Sequence, residues 1–172
     1  MIFETERLVI RKLHTSDIEE FYDMQRNPKV MKHIKETMNR FQSELELKRF
    51  IDYYANDSIY YHIWGIEEKN EKELIGICGV YENEQSEHEI AYRLRELHWQ
   101  KGYGREVAKG LINHCFLNTS INELTAYVRL QNKGSVHILE KEMQFISEFY
   151  CKKADAYERI YKLKKNNAQV VY

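Results

Sequence analysis

The sequence predicts an α/β fold in which helices cover a mixed, mostly antiparallel sheet. Two observations support this prediction. Segments with apolar side chains at every second position alternate along the chain with segments that have the 3.6-residue apolar period of a helix. Near the middle, three strand patterns are joined by short polar connectors, which indicates an antiparallel meander. These patterns give about seven strands and about four helices.

The first third of the chain predicts one strand and two helices. Residues 7–13 alternate as a strand does, and the segment from Ser16 to Glu19 matches a capping box that starts a helix. This helix should end before Pro28, because proline disfavours helical geometry in the residue that precedes it. Residues 29–38 have no clean period and indicate a mobile connection or a short helix. Helical spacing returns over residues 39–56.

The remainder of the chain predicts six strands and two helices. A helix over residues 104–118 follows the meander. Asn132 and Ser135 offer caps for a second helix. The predicted strands, which are rich in aromatic and β-branched residues or alternate apolar and polar side chains, cover residues 58–66, 74–81, 89–94, 124–130, 144–150 and 156–163.

Length and composition indicate one soluble domain over residues 1–172. The 26 basic and 27 acidic side chains give a net charge of -1, so no global field attracts nucleic acid or an anionic membrane. Three cysteines lack C-x-x-C spacing and seven histidines lack H-x-x-x-H pairing, so we expect neither disulfides nor a metal. The amino terminus lacks the apolar core of a signal peptide, and no run approaches the roughly 20 apolar residues of a membrane span. We therefore expect a cytoplasmic protein.

A glycine loop separates the last strand of the meander from the helix that follows it. The first turn of a helix leaves about four backbone N–H groups without partners, at the positive end of the helix dipole. Gly102 and Gly104 let the backbone approach a bulky anion, and Lys101 and Arg105 add positive charge. We interpret the loop as a pyrophosphate cradle, with a plain turn as the alternative. A dinucleotide-binding fold fits less well, because Val107 stands at the third glycine of G-x-G-x-x-G and a meander precedes the loop.

Four segments of the chain carry a family resemblance. They are TERLVIRKLHTSD, EIAYRL, WQKGYGREVAKGL and YVRLQNKGSVHILEK. In this order and spacing, over almost the full length, they resemble the GCN5-related N-acetyltransferase (GNAT) family, and within it the ribosomal-protein alanine acetyltransferases of the RimJ/RimL type. Gly102 and Gly104 fill the two small positions of the family's loop, and Trp99 takes the place of its first Arg or Gln. Asn132 and Ser135 match the family's Asn-x-x-Ser motif.

Two departures from the family pattern are visible. The proline that usually follows the cofactor strand is absent from residues 95–97. The K-x-G-F that usually ends the last helix reads KEMQF, from Lys141 to Phe145. The second departure leaves the register of that turn open.

The resemblance implies acetyl-CoA as the acetyl donor. The backbone of Tyr92, Arg93 and Leu94 is expected to pair with the pantetheine amides as an added strand does. Asn132 is expected to contact the pantetheine arm, and a homodimer is expected from the family. The residues expected to hold the pyrophosphate are Gln100, Lys101, Gly102, Tyr103, Gly104 and Arg105.

The resemblance also implies acid and base roles. The attacking amine must be neutral. A lysine-type amine has a pKa of about 10.4 and an α-amine has a pKa of about 8, so the need for a base depends on the acceptor. Glu89 is the candidate base, acting through water, and a solvated charge at a strand end is its alternative role. Ser135 is the candidate hydrogen-bond donor to the departing thiolate, and a helix cap is its alternative role. Tyr127 is an alternative acid, and Tyr92 and His88 are further alternatives, for which packing and surface roles compete.

Three functions fit these residues. The first is an N-acetyltransferase that modifies a protein amino terminus, and the second is the same chemistry on a small amine such as a polyamine, an aminoglycoside or an amino-acid derivative. The third, from a different class, is a non-catalytic acyl-CoA-binding module. The acceptor site is expected in the least patterned segments, over residues 27–40 and 151–155.

Overall fold

The computed structural model describes residues 1–56 and 60–167, in which eight strands form a sheet with the order β1-β2-β3-β4-β5-β6-β8-β7. Five α-helices lie in the same part of the chain. The strands are β1 (Phe3–Glu4), β2 (Leu8–Arg11), β3 (Tyr61–Glu68), β4 (Leu74–Glu82), β5 (His88–Leu94), β6 (Glu123–Arg129), β7 (Gln144–Cys151) and β8 (Ala156–Lys164). The helices are α1 (Ile18–Arg26), α2 (Pro28–Met31), α3 (Arg40–Tyr53), α4 (Tyr103–Asn118) and α5 (Lys133–Glu142).

The sheet is antiparallel except at its centre, where β5 and β6 run parallel. The parallel pairing follows from the connection, because α4 carries the chain back across the sheet between these two strands. Within the described residues, β5 and β6 are in register at one position, where Glu89 faces Thr125. The two strands separate beyond that position, and a gap opens at the middle of the sheet.

The core has two layers, one on each face of the sheet. Side chains alternate between the two faces along a strand. Ile90 and Leu94 of β5 therefore belong to the cluster that packs under α4 and α5, together with Leu111 and Leu139. Arg93 points to the other face, where its guanidinium contacts α1. The strand that borders the gap thus presents a different set of side chains to each layer.

The predicted mixed α/β fold with a mostly antiparallel sheet is confirmed. The structure adds the edge strand β1, which is two residues long and gives little alternation to detect. It also contains the short helix α2, where Asn27 accepts a hydrogen bond of 2.9 Å from the N–H of Lys29 and Pro28 takes the first helical position. The predicted start of the strand over residues 58–66 lies partly outside the described residues. None of the described helices has the length and apolar character needed to cross a membrane.

The capping box predicted from Ser16 to Glu19 is wrong. A short 3₁₀ turn, Thr15–Asp17, precedes α1, and no side chain caps the first turn of α1. The carboxylate of Asp17 instead accepts hydrogen bonds from the N–H of His14 at 2.8 Å and from the guanidinium of Arg11. A buried ion pair to the neighbouring strand therefore replaces the local cap that the sequence pattern indicated.

The register of the turn after α5, which the sequence left open, is fixed by packing. Helix α5 ends at Glu142, and Met143 takes an extended conformation with its N–H bonded to the carbonyl of Leu139. Met143 is buried with the core under α4 and α5. This burial sets the point at which β7 starts.

Candidate active site

The glycine loop lies open at the start of α4. Gly102 precedes the helix with a φ of 83°, a conformation that favours glycine, and Lys101 and Gly102 are exposed. The N–H of Glu106 bonds to the carbonyl of Gly102 at 3.2 Å. The N–H groups of residues 103–105 precede that bond and have no place in the helical ladder. The loop therefore presents several free amide hydrogens at the positive end of a helix of 16 residues.

A clasp from the amino-terminal segment holds this loop in place. The backbone N–H and the guanidinium of Arg7 both donate to the carboxylate of Glu106, at 2.8 Å and 2.7 Å, and the hydroxyl of Thr5 donates to it at 2.6 Å. A second guanidinium nitrogen of Arg7 donates to the carbonyl of Lys101 at 2.9 Å. The same guanidinium lies 4.5 Å from the ring centre of Tyr103. These contacts tie the loop to the start of β2.

Gly104 lies where α4 approaches α5 and β5. A Cβ atom at this position would be 3.0 Å from Cδ1 of Ile138 and 4.0 Å from the ring of Tyr92. The adjacent Arg105 is engaged with Glu142 of α5 at 2.7 Å. A side chain at position 104 therefore starts at the border of the loop with α5 and β5, and a large one fits there only if its neighbours are displaced.

The separation of β5 from β6 leaves backbone groups without strand partners. In an antiparallel pair, successive residues turn their N–H and C=O groups to opposite edges. The N–H of Arg95 bonds to Ile75 of β4 at 2.9 Å, and Arg93 is in register with Ile77. The backbone of Arg93 therefore faces β4, and the backbone of Tyr92 faces the gap. The carbonyl of Leu94 is occupied by the indole N–H of Trp99 at 2.9 Å.

A cavity of about 400 Å³ passes through the gap. Its walls come from residues 90–93 of β5, residues 126–129 of β6, the start of α5, and the segment that leads from α2 into α3. A volume of this size is typical of small-ligand sites. The cavity joins the two faces of the sheet at the position where β5 and β6 part.

Glu89 lines the cavity at the position where β5 pairs with β6. Its carboxylate accepts a hydrogen bond of 2.8 Å from the hydroxyl of Tyr81 and one of 3.2 Å from the side-chain amide of Asn83. Burial raises the pKa of Glu89 above its usual value, although the two hydrogen bonds act against this rise. A carboxylate with a raised pKa is a better proton acceptor than an exposed one.

Ser135, Asn132 and Tyr92 meet at the other side of the cavity. Asn132 caps α5 by accepting a bond of 3.3 Å from the N–H of Ser135. The hydroxyl of Tyr92 is buried and has no hydrogen-bond partner among the residues described. Burial raises the pKa of Tyr92 to about 12, and the nearby Ser135 hydroxyl opposes the rise. Two hydroxyl groups therefore face this part of the cavity.

Tyr127 also lines the cavity, but its proton is committed to another group. Its hydroxyl donates to Glu87 at 2.9 Å, and Glu87 accepts a further bond from Lys162 at 2.6 Å. Burial and the bond to Glu87 raise the pKa of Tyr127 to about 12. His88 packs edge-on against Tyr60, with 5.0 Å between the ring centres.

Sequence reasoning missed the residues that support this site. Arg7 and Glu106 are 99 positions apart, and nothing in either segment alone indicates that they pair. Tyr81 and Asn83, the partners of Glu89, lie on β4 and the connector after it, and their positions resemble those of any meander residue. Among the described residues, no group of three or more His, Cys, Asp or Glu side chains is arranged to hold a metal ion.

Comparison with known proteins identifies the family. Residues 7–142 match the family described as Acetyltransferase (GNAT) domain. The chain belongs to this family. It is therefore an acetyl-CoA-dependent N-acyltransferase, as members of this GNAT family are.

Two solved structures and one sequence relative illustrate the similarity. The chain is 28% identical over 144 residues to the uncharacterized N-acetyltransferase YoaA of Bacillus subtilis, covering 81% of this chain and 80% of the relative. It superposes on a GNAT-family acetyltransferase from Bacillus anthracis with a TM-score of 0.84 at 19% identity, covering 95% and 98% of the two chains. It superposes on RimL, a ribosomal L7/L12 α-N-protein acetyltransferase in complex with coenzyme A, with a TM-score of 0.79 at 14% identity, covering 95% and 97%. At these identities the structural matches establish the shared fold.

The clasp on the loop gives a prediction for stability against pH. Burial acts to raise the pKa of Glu106, but hydrogen bonds from Thr5 and Arg7 outweigh it, and the pKa is lowered. A carboxylate whose pKa is lowered by folding stabilises the folded protein at any pH above its unfolded-state pKa of about 4.3. This stabilisation is lost as the pH falls through the lower pKa of the folded state. We expect Glu106→Gln to lower the free energy of unfolding by about 1–3 kcal/mol at pH 7, measured by urea denaturation, with a smaller difference below about pH 4.

The exposed neighbour Glu6 provides the matched control. Glu6→Gln removes the same charge next to Arg7 and should leave the unfolding free energy nearly unchanged. A Glu106→Gln deficit that stays constant from pH 7 to pH 3 would contradict an ionised clasp.

Proposed function

We propose that this protein transfers an acetyl group from acetyl-CoA to a primary amine, with the reaction carried out in the gap between β5 and β6. The observation that carries this proposal is the combination of an open strand edge at Tyr92, on the wall of the cavity, with a free helix amino terminus close to it. A Cβ atom at Gly104 of the loop would lie 4.0 Å from the ring of Tyr92. Acetyl-CoA supplies an activated acetyl thioester. All remaining steps fall to side chains and backbone groups of the chain.

The residues at the loop fit the phosphates and the pantetheine arm. Free N–H groups of residues 103–105 and the charge of Lys101 suit a diphosphate. The backbone of Tyr92 faces the gap and is suited to pair with an extended amide chain. Arg93 and Leu94 follow Tyr92 on β5 and are proposed to hold its backbone in place at this edge. Asn132 lies on the opposite wall of the cavity and is proposed to contact the pantetheine arm there. Gln100, Gly102, Tyr103, Gly104 and Arg105 complete the proposed binding loop.

Glu89 is proposed to accept the proton of the attacking amine, directly or through a water. Its position in the cavity wall and its raised pKa support this role. Tyr81 and Asn83 hold the carboxylate in one orientation. An α-amine, with a pKa near ~8, needs less help from such a base than a lysine-type amine does.

Ser135 is proposed to donate a hydrogen bond to the departing thiolate. Its location between Asn132 and the unpartnered hydroxyl of Tyr92 supports this role. Tyr92 is the proposed second donor, because its proton is not committed elsewhere in the described residues. Tyr127 is less suited, since it already donates to Glu87.

The acceptor is proposed to be an α-amine, as in RimJ/RimL-like enzymes, and a small amine is the second candidate. The moderate base at Glu89 supports an α-amine. The cavity of about 400 Å³, enclosed by residues from both layers, supports a small molecule. A single catalytic domain over residues 1–172 and a homodimer are proposed with the function.

An acceptor screen tests the function. Release of free thiol from acetyl-CoA is followed with peptides that begin with Ala or Ser, free amino acids, polyamines and aminoglycosides. We expect release well above hydrolysis for at least one amine class. Binding of acetyl-CoA without release for any acceptor would contradict an enzyme and favour a non-catalytic acyl-CoA-binding module.

The pH dependence of turnover tests Glu89. Because its pKa is raised, the base is available above an inflection that lies higher than about 4.3, the usual glutamate value. We expect Glu89→Gln to reduce kcat by about 100-fold or more and to remove this inflection from the pH profile of kcat/KM. The rise that accompanies deprotonation of the free amine should remain.

Glu84→Gln is the matched control, since Glu84 lies on the connector before β5 with its side chain 83% exposed. Its pH profile should match that of the wild type. A Glu89→Gln profile that keeps the low-pH inflection would remove Glu89 from the reaction.

A further inference from the structure

The guanidinium of Arg93 is a largely enclosed cation on the wall of the cavity. One of its terminal nitrogens, Nη1, donates to the side-chain oxygen of Gln25 at 2.6 Å and contacts the sulfur of Met31 at 2.9 Å. Both partners are neutral. Within residues 1–56 and 60–167, Nε and Nη2 of Arg93 make no hydrogen bond, and no carboxylate lies within ion-pair distance. Arg93 therefore has no direct ion-pair partner, and the favourable charge interaction that it does have is with Glu46.

Arg95, two residues further along the chain, shows what the fold normally provides for a buried arginine. Its guanidinium pairs with the carboxylates of Asp23, at 3.1 Å, and Glu73. An enclosed charge without such a partner is unfavourable, because the protein interior solvates a charge less well than water does. Burial lowers the pKa of Arg93 to about 10, which still leaves the group positive at neutral pH.

The surroundings of Arg93 add to the positive charge. Lys35 and Arg49 line the same part of the cavity and share one carboxylate, that of Glu46, with which each is paired at 2.8 Å. With Arg93, three cations face a single anion there. The side-chain nitrogen of Gln25 is also buried without an acceptor. This end of the cavity has more hydrogen-bond donors than acceptors and a net positive charge.

Arg93 and Glu89 lie on the same face of β5. They are four positions apart in the sequence, and a strand rises about 3.3 Å per residue, so their Cα atoms are about 13 Å apart. The residue between them on this face is Ala91, which also lines the cavity and has a single methyl group. The cavity therefore has a carboxylate at one position, a small side chain next, and an unpaired cation beyond it.

We propose that the acceptor carries a carboxylate that binds Arg93 while its amine lies at Glu89. A guanidinium whose Nε and Nη2 are both free suits a carboxylate in particular, because the two groups match in a bidentate geometry. The acceptor is then an acidic amine, either an amino acid or a peptide amino terminus with an acidic side chain close by. Polyamines and aminoglycosides are disfavoured by the positive charge at this end. The inference rests on the proposed function, since it assigns the acceptor for that site.

Matched acceptors test this inference on the wild-type protein. Thiol release is measured with 4-aminobutanoate and 6-aminohexanoate, each beside its carboxamide, and with short peptides that begin Ala-Asp or Ala-Asn. We expect kcat/KM to be about tenfold or more higher for the acidic member of the preferred pair. The small acids and the peptides distinguish the two sources of the carboxylate. Equal rates for acid and amide in every pair, or a preference for diamines, would overturn the inference.

The variant Arg93→Met removes the charge and keeps an unbranched side chain. We expect it to raise KM for acidic acceptors by about tenfold or more and to leave the amides and the dissociation constant of acetyl-CoA unchanged. Arg93→Lys should restore part of the preference for acids. Arg26→Met, which removes an arginine of α1 whose side chain is 60% exposed, should behave as the wild type. An acid preference that survives in Arg93→Met would show that Arg93 only braces α1 and α2 against the sheet.

A failure of the proposed function gives a different result from a failure of this inference. If acetyl-CoA binds and no acceptor releases thiol, the enzyme proposal fails. Calorimetric binding of the acids and amides in the presence of coenzyme A then decides the inference. Tighter binding of the acids, lost in Arg93→Met, supports it, and equal binding of acids and amides overturns it.

Discussion

The structure depends on the short pairing between β5 and β6. These strands pair in parallel where Glu89 meets Thr125 and then separate, so the centre of the sheet has an internal edge. An unpaired edge inside a sheet is normally unfavourable, because buried N–H and C=O groups require partners. Here the edge borders a cavity, and its open groups at Tyr92 are available to a ligand. The fold maintains the gap by anchoring each strand on its other side, β5 to β4 and β6 to β8.

The alternation of side chains along β5 divides the proposed chemistry between the two faces of the sheet. Tyr92 points toward α4 and α5, where the loop and Ser135 lie. Glu89 and Arg93 point toward the helices of the first third of the chain. In the proposed arrangement the acetyl donor uses the first side and the amine uses the second, and they meet in the gap. In this proposal one strand of seven residues carries the cofactor contact, the base and the acceptor contact.

Local patterns predicted what depends on local structure. Alternation predicted the meander, and the helical period with two glycines predicted the open loop at the start of α4. Contacts between distant segments could not be predicted in this way. The Arg7–Glu106 clasp spans 99 positions. The Asp17–Arg11 ion pair spans only six positions, but it depends on how β2 packs against the start of α1, and it replaced the cap that the local pattern predicted. The two neutral partners of Arg93, Gln25 and Met31, depend on how α1 and α2 pack. The sequence neighbours of Arg93 resemble those of the fully paired Arg95.

The central claim is that free amide hydrogens at the start of α4 hold the phosphates of the coenzyme. Calorimetric titration of acetyl-CoA into Gly104→Trp tests it most directly, because a bulky side chain at this position crowds the border between the loop and the open edge at Tyr92. Lys109→Trp, on an exposed position of the same helix, is the control, and thermal melting confirms that both variants are folded. The account predicts that Gly104→Trp loses binding by about 100-fold or more, which corresponds to about 2.7 kcal/mol, while Lys109→Trp binds as the wild type does. Unchanged affinity in a folded Gly104→Trp protein would contradict the account.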